Sequence, residues 1–130
     1  MKKGKSTTTP TKIEAAWMAA ISDLGCIVCR NQGRGYVPAA VHHLLSGGVR
    51  IGHLHTIPLC DPGHHQNAPR ASGEWSRHPD KSRFEAAYGT EEELLLQARL
   101  IVARGAGNLQ PVRRDGLANF IEQTFIQQAA

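Results

Sequence analysis

Aromatic residues are scarce, 5% of the 130, so the chain has little of the bulky apolar material that fills a large core. No apolar run reaches the roughly 18 residues that a membrane span requires, and the first residues lack the apolar centre of a secretion signal. Neither a membrane span nor export is expected, and a cytoplasmic location is. No internal repeat or second domain can be read in it. Cysteines number only three, too few to pair off completely, and a cytosolic CxxC is more often a metal or redox site than a disulfide. A thioredoxin-like site needs a βαβ context that the flanking sequence does not offer, which leaves metal as the better reading.

Against these absences stands an excess of histidine. All three cysteines and six of the seven histidines fall between Cys26 and His65. A small chain has little reason to gather so many soft and borderline ligands unless metal joins them. One structural zinc and one catalytic metal are expected. The length fits one domain with a modest core, and 13 glycines with 7 prolines favour a loop-rich fold to which a bound metal contributes folding free energy. Lys2, Lys3 and Lys5 carry most of the formal net charge of +4. They stand in an opening, MKKGKSTTTP, with almost no apolar residue, so residues 1–11 read as a disordered basic arm and 12–130 as one domain. The arm is either a solubilising terminus or a phosphate-seeking segment whose grip weakens steeply with salt.

Local signals place the elements. Thr11 and Glu14 form a capping box, and Ile13, Ala16, Trp17, Ala20, Ile21 and Leu24 recur at helical spacing until Gly25 stops them. A helix over 12–24 then delivers the chain to Cys26, with Trp17 as a core residue. Cys26-Ile27-Val28-Cys29 reads as a zinc knuckle, followed by a loop over Asn31 to Pro38 that carries Arg34, with Arg30 just before it. Val37 to Leu45 has strand composition with His42 and His43 in its middle. Successive strand residues face opposite sides, so both cannot face one ion from a regular strand. Ser46-Gly47-Gly48 is a turn, His55 to Leu59 a second strand completing a hairpin, and a helix is expected to begin within Cys60 to Gln66. His53 and His55 read as surface or hydrogen-bonded residues ahead of ligands. Arg70, Arg77, Lys81 and Arg83 are spaced over a loop that enters a helix at Phe84 to Tyr88, where they can grip a phosphodiester backbone. Thr90 and Glu93 form a second capping box, before a buried stripe of Leu94, Leu95, Ala98, Ile101 and Val102. A last helix is expected over 116–128.

The order strand, loop, strand, helix, with histidines on the first strand and at the helix start, resembles the HNH, or ββα-metal, nuclease superfamily. The stretch CxxC, VHH, GxH and PLCxxxHHQ, followed by His78-Pro79-Asp80-Lys81, Phe84 and Tyr88 through Leu95, is similar to the recombination-enhancement (Ref) nucleases of phages and prophages, which cut DNA where a RecA filament directs them. The resemblance implies an α+β fold: a small zinc-stabilised ββα-metal core with flanking helices. It also implies a divalent-metal-dependent DNA endonuclease, leaving a 5′-phosphate and a 3′-hydroxyl, with single-stranded or displaced-loop DNA as substrate and a RecA filament as partner.

Carried over by residue, the resemblance assigns Cys26, Cys29, Cys60 and His64 to a structural Zn²⁺, with His65 as the alternative fourth ligand. His43 would be the general base that takes a proton from water, and the hydroxide would attack phosphorus. The catalytic ion, Mg²⁺ or another divalent metal, would bind a non-bridging phosphate oxygen and the leaving 3′ oxygen. Its ligands would be His42, His65 and His78. Pro69 stands where many HNH enzymes place a ligand, which leaves Asp61 and Asp80 as competitors for the third position. The DNA contacts would be Lys2, Lys3, Lys5, Arg70, Arg77, Lys81 and Arg83. The rival class is a non-catalytic zinc-stabilised module that binds nucleic acid or RecA.

Overall fold

The computed structural model describes residues 9–104, so Lys2, Lys3, Lys5 and the helix expected over 116–128 lie outside the described residues. The first helix, α1 (Lys12–Leu24), begins at its capping box. The Glu14 backbone N–H donates to Thr11 Oγ1 at 3.1 Å, and the Thr11 N–H donates to Glu14 Oε1 at 2.9 Å, a cap worth about 1 kcal/mol. Ile21 and Leu24 are buried, but Ile13 is 74% exposed. The helical spacing of Ile13 is real, yet the first turn of α1 does not reach the core. Gly25, at φ 79°, ends the helix where the chain at Val37 crosses it. A Cβ on Gly25 would lie 2.7 Å from the Val37 carbonyl oxygen, and the next N–H, of Cys26, donates to that oxygen at 2.8 Å.

The CxxC knuckle is a single helical turn, α2 (Ile27–Asn31), with Cys26 as its N-cap. A reciprocal, buried amide pair between Asn31 and Gln97 at 2.6 and 2.9 Å fixes α2 to the C-terminal helix.

Strands β1 (Ala40–His43) and β4 (Thr56–Leu59) pair antiparallel, His42 opposite Ile57 and His43 opposite Thr56. Between them β2 (Leu45–Ser46) and β3 (Val49–Arg50) make a small ladder of their own. The strand expected over 37–45 is therefore shorter. Leu44 is where the chain leaves one ladder for the other: its N–H donates to the His55 carbonyl at 2.9 Å, while its own carbonyl accepts from Ile51 at 3.1 Å.

A helix beginning within Cys60 to Gln66 does not form. That stretch makes turns, with Gly63 at φ 147° and Asn67 at φ 63°, conformations outside the helical region. Pro62 and Pro69 also interrupt helical hydrogen bonding there. After one short 3-10 turn at Arg70–Ser72, the next helix is α3 (Lys81–Tyr88), and α4 (Glu91–Arg104) follows. The order β, β, α is present, with a 21-residue loop over 60–80 between the second strand and the helix. The second capping box also forms, from the Glu93 N–H to Thr90 Oγ1 at 3.1 Å and from the Thr90 N–H to Glu93 Oε1 at 2.8 Å. Helix α4 buries Leu94, Leu95, Ala98 and Ile101 against Leu24, Ile27, Val28, Ile57, Leu59 and Phe84. Strand β4, buried along its whole length, touches α1, α2 and α4 and is the centre of this α+β domain. Among the described residues no helix is long and apolar enough to cross a membrane.

Candidate metal centres

Two clusters of ligating side chains form at opposite sides of the His64-His65 doublet. In the first, Cys26, Cys29, Cys60 and His64 are all buried and bring one ligand atom each to within 4.8 Å of the others. Helix α2 supplies two sulfurs by its one-turn geometry, and the turn after β4 supplies the other two ligands. The Cys29 and Cys60 sulfurs are 3.7 Å apart, and His64 Nδ1 lies 3.3 to 3.5 Å from all three sulfurs. A tetrahedron with Zn–S near 2.3 Å and Zn–N near 2.05 Å has edges of about 3.8 Å between sulfurs and about 3.6 Å between sulfur and nitrogen. The four residues fit a closed zinc site. Gly63 is required by it, since a Cβ there would lie 2.6 Å from the Cys60 sulfur.

Charge at this cluster follows its crowding. Hydrogen bonds from Cys26 and Cys29 hold Cys60 far below the usual thiol range, while the same crowding pushes Cys26 up. Burial opposes a charge on His64, but hydrogen bonds to Cys29, Cys60 and Glu74 raise it to about 10. His64 Nε2 donates to Glu74 Oε1 at 2.8 Å, and a carboxylate can only accept, so the ring is fixed with Nδ1 facing the sulfurs. Glu74 also accepts from Tyr88 Oη at 2.6 Å, Gln32 Nε2 at 2.9 Å and Arg34 at 3.2 Å; burial raises its carboxyl, but the hydrogen bonds from Tyr88, Gln32 and His64 keep it at about 2.

The second cluster joins His42, His65 and His78, with the three rings each 5.2 Å from the other two. His42 comes from β1. His65 and His78 are brought together by two backbone rungs, Arg77 N–H to the His64 carbonyl at 2.8 Å and His78 N–H to the His65 carbonyl at 3.0 Å. Ser76 holds the same loop closed, donating to the Gly63 carbonyl at 2.6 Å and accepting from the Ala68 N–H at 2.9 Å. His42 Nε2 donates to the buried carboxylate of Glu91 at 2.6 Å, leaving the other ring nitrogen of His42 for an ion. Burial, then the neighbouring His42 and Arg77, lower His78; burial and His42 likewise lower His65. Both rings are thus held in the neutral form that ligates metal. Three imidazoles suit a divalent transition ion and leave further coordination positions open. Asp61 stands 3.5 Å from His65 Nδ1, and Asp80 is the N-cap residue of α3; neither carboxylate belongs to the cluster of three.

His43, the next residue after His42, projects to the other side of the strand. Its Nε2 lies 3.1 Å from His53 Nδ1. His53 is buried, and its carbonyl accepts from Thr56 Oγ1 at 3.0 Å, which in turn accepts from Trp17 Nε1 at 2.9 Å. Burial, followed by the charges of Arg50, His53 and His42, lowers His43 to about 4.

The expected phosphate-gripping residues divide. Arg70, Lys81 and Arg83 are exposed. Arg77 is not available in that way: it is 8% exposed and its Nε donates to Glu91. Hydrogen bonds from His42 and Arg77 keep Glu91 ionised against its burial. Sequence reasoning missed Glu74, Glu91 and His53 as supports of the histidines. Each acts across 10 or more positions, from His64 to Glu74, from His43 to His53 and from His42 to Glu91, so no local spacing marks them. Beside His78 opens a cleft of about 480 Å³ whose wall includes Arg70, Trp75 and Arg83.

Comparison with known proteins adds one match: the family model described as recombination enhancement, RecA-dependent nuclease covers residues 10–103 of the chain. Searches of curated proteins and of solved structures return no match.

Proposed function

Because the chain belongs to the recombination-enhancement, RecA-dependent nuclease family, we propose that it is an HNH-type, divalent-metal-dependent endonuclease that hydrolyses phosphodiester bonds of DNA. In this reading it works on single-stranded or displaced-loop DNA presented by a RecA filament, as part of phage or prophage recombination. The observation that carries the proposal is the pair of consecutive histidines on β1, one in the three-histidine cluster and one paired with His53. They are the last two residues of β1, so in this reading a metal ligand and a base flank the end of one strand.

His43 is the general base. In the tautomer that serves this role, His43 Nε2–H donates to His53 Nδ1, 3.1 Å away, and the Nδ1 lone pair of His43 takes the proton of the attacking water. With His43 lowered to about 4, the ring is neutral and able to accept at pH 7. A divalent ion held by His42, His65 and His78 would stabilise the negative charge that develops on the phosphate oxygens. Glu91 fixes the ring of His42, and Arg77 holds Glu91 ionised. Zinc at Cys26, Cys29, Cys60 and His64 supports the fold. Arg70, Lys81 and Arg83, with Lys2, Lys3 and Lys5 of the arm, contact the sugar-phosphate backbone.

The test is cleavage of circular single-stranded DNA with Mg²⁺ and, separately, with Mn²⁺, with and without RecA and ATP, by the protein and by its His43→Ala form. Cutting that needs RecA and falls by about 10²- to 10⁴-fold in the variant, at unchanged zinc content, is expected. Full activity in the variant removes His43 from the mechanism. No cutting by the unaltered protein, with DNA binding retained, moves the assignment to a non-catalytic binding module.

A further inference from the structure

We propose that the cleft beside His78 is a subsite for one unpaired nucleotide of the DNA substrate, its base stacked at the Trp75–Arg83 pair and its phosphate met by Arg70. This rests on the nuclease reading and specifies the form in which substrate reaches the site. The cleft, about 480 Å³, is within the range of pockets that hold small molecules, roughly 300 to 1,000 Å³. His78 is part of its wall and also part of the three-histidine cluster, so an occupant of the cleft adjoins the reacting phosphate.

Its recognition chemistry is that of a base and a phosphate. The guanidinium carbon of Arg83 lies 4.9 Å from the centre of the Trp75 ring, so a cation and an indole are already stacked. The guanidinium of exposed Arg83, backed by the indole, is a planar cation of the kind on which unpaired bases stack with little regard to sequence. The platform is held from behind: the Trp75 N–H donates to Tyr88 Oη at 3.0 Å, and the adjacent Ser76 is bound on both sides of the loop. The charged lining of the cleft is Arg70 and Arg83 against Glu74 and Asp80; Glu74 is already bound by His64, Tyr88, Gln32 and Arg34, and Arg70 is the exposed cation left to meet a phosphate. A paired duplex keeps its bases stacked on one another, and its backbone alone has no use for an indole. An unpaired nucleotide uses both parts.

The experiment uses the full chain with zinc bound, RecA and ATP, and a set of single-stranded substrates in which one abasic position is moved along the strand around the cut. For the unaltered protein one abasic position next to the cut should lower kcat/KM about tenfold, the scale of losing one base stack. In Trp75→Ala the penalty should vanish, because the intact substrate has already lost the stack. Trp75 is half-buried, so Arg83→Gln on the exposed side is the second variant. It should shrink the penalty at unchanged zinc content and melting temperature. Equal cleavage at every abasic position, or a penalty that persists in both variants, overturns the subsite and leaves the nuclease intact. A protein that cuts nothing would sink the nuclease reading instead. The subsite is then decided by binding: quenching of a single 2-aminopurine in a single-stranded oligonucleotide by the unaltered protein and not by Arg83→Gln supports it, and no difference between the two overturns it.

Discussion

His64 and His65 are neighbours in the chain and serve different centres. His64 closes a site of three sulfurs and one nitrogen in which every ligand is buried, whereas His65 joins His42 and His78 in a cluster whose outer two rings are only partly covered. The first has the donors and the edges of a complete tetrahedron. The second has three nitrogens and room beside it. Each is supported by a carboxylate, Glu74 for His64 and Glu91 for His42. The supports differ: Glu74 is shared among exposed and half-buried partners, while Glu91 is sealed in with Arg77. Closure suits a centre that holds the fold together. An open position suits one that has to admit a phosphate.

The contrast is tested most severely at the sulfurs. Cys29→Ser, or removal of zinc by a strong chelator, should unfold the domain, because structural zinc contributes on the order of 10 kcal/mol to folding. His65→Ala should melt close to the unaltered protein, and equal melting temperatures for Cys29→Ser and His65→Ala would erase the distinction. At the open centre, Glu91→Gln should weaken divalent-ion binding by roughly 10- to 100-fold. Calorimetric titration with Mn²⁺ reads this, with zinc content at the sulfurs unchanged. Smaller effects belong to the proposed base, His43. His53→Leu should lower kcat by roughly tenfold and up to a hundredfold through misplacement of His43, leaving KM alone. His53→Asn, whose amide can occupy the place of Nδ1, should restore most of the loss; a loss shared equally by both variants speaks against positioning. Least in size is the pH effect. With His43 lowered to about 4, the neutral base persists as pH falls, so kcat should be flat in this group between about pH 6 and 8 and decline only below about 5. An acid limb near 6.5 would mean an unperturbed imidazole.

Local chemistry was legible and long-range chemistry was not. Both capping boxes, Thr11 with Glu14 and Thr90 with Glu93, are three-residue devices, and each opens a helix where its spacing says. The alternation of a strand separates His42 from His43, as period two requires. The helix expected at Cys60 to Gln66 failed because positive φ at Gly63 and Asn67, with Pro62 and Pro69, turns the chain back on itself. The same turning splits His64 from His65. Arg77 read as a surface cation because nothing nearby announces its partner, Glu91, 14 positions on. Glu74 likewise has no local mark of its neighbours, His64 at 10 positions and Tyr88 at 14.

The two backbone rungs that pin His65 to His78 leave residues 69–73 as a tip outside them, between Ala68, which is bonded to Ser76, and Glu74, which is bonded to His64. The ligands therefore do not register how long that tip is or what it carries. Insertions, deletions and substitutions there can reshape the surface offered to a substrate while the chemistry behind it stays in register. Glu74, which holds a ligand ring, and Ser76, which ties the loop down, are where that freedom stops.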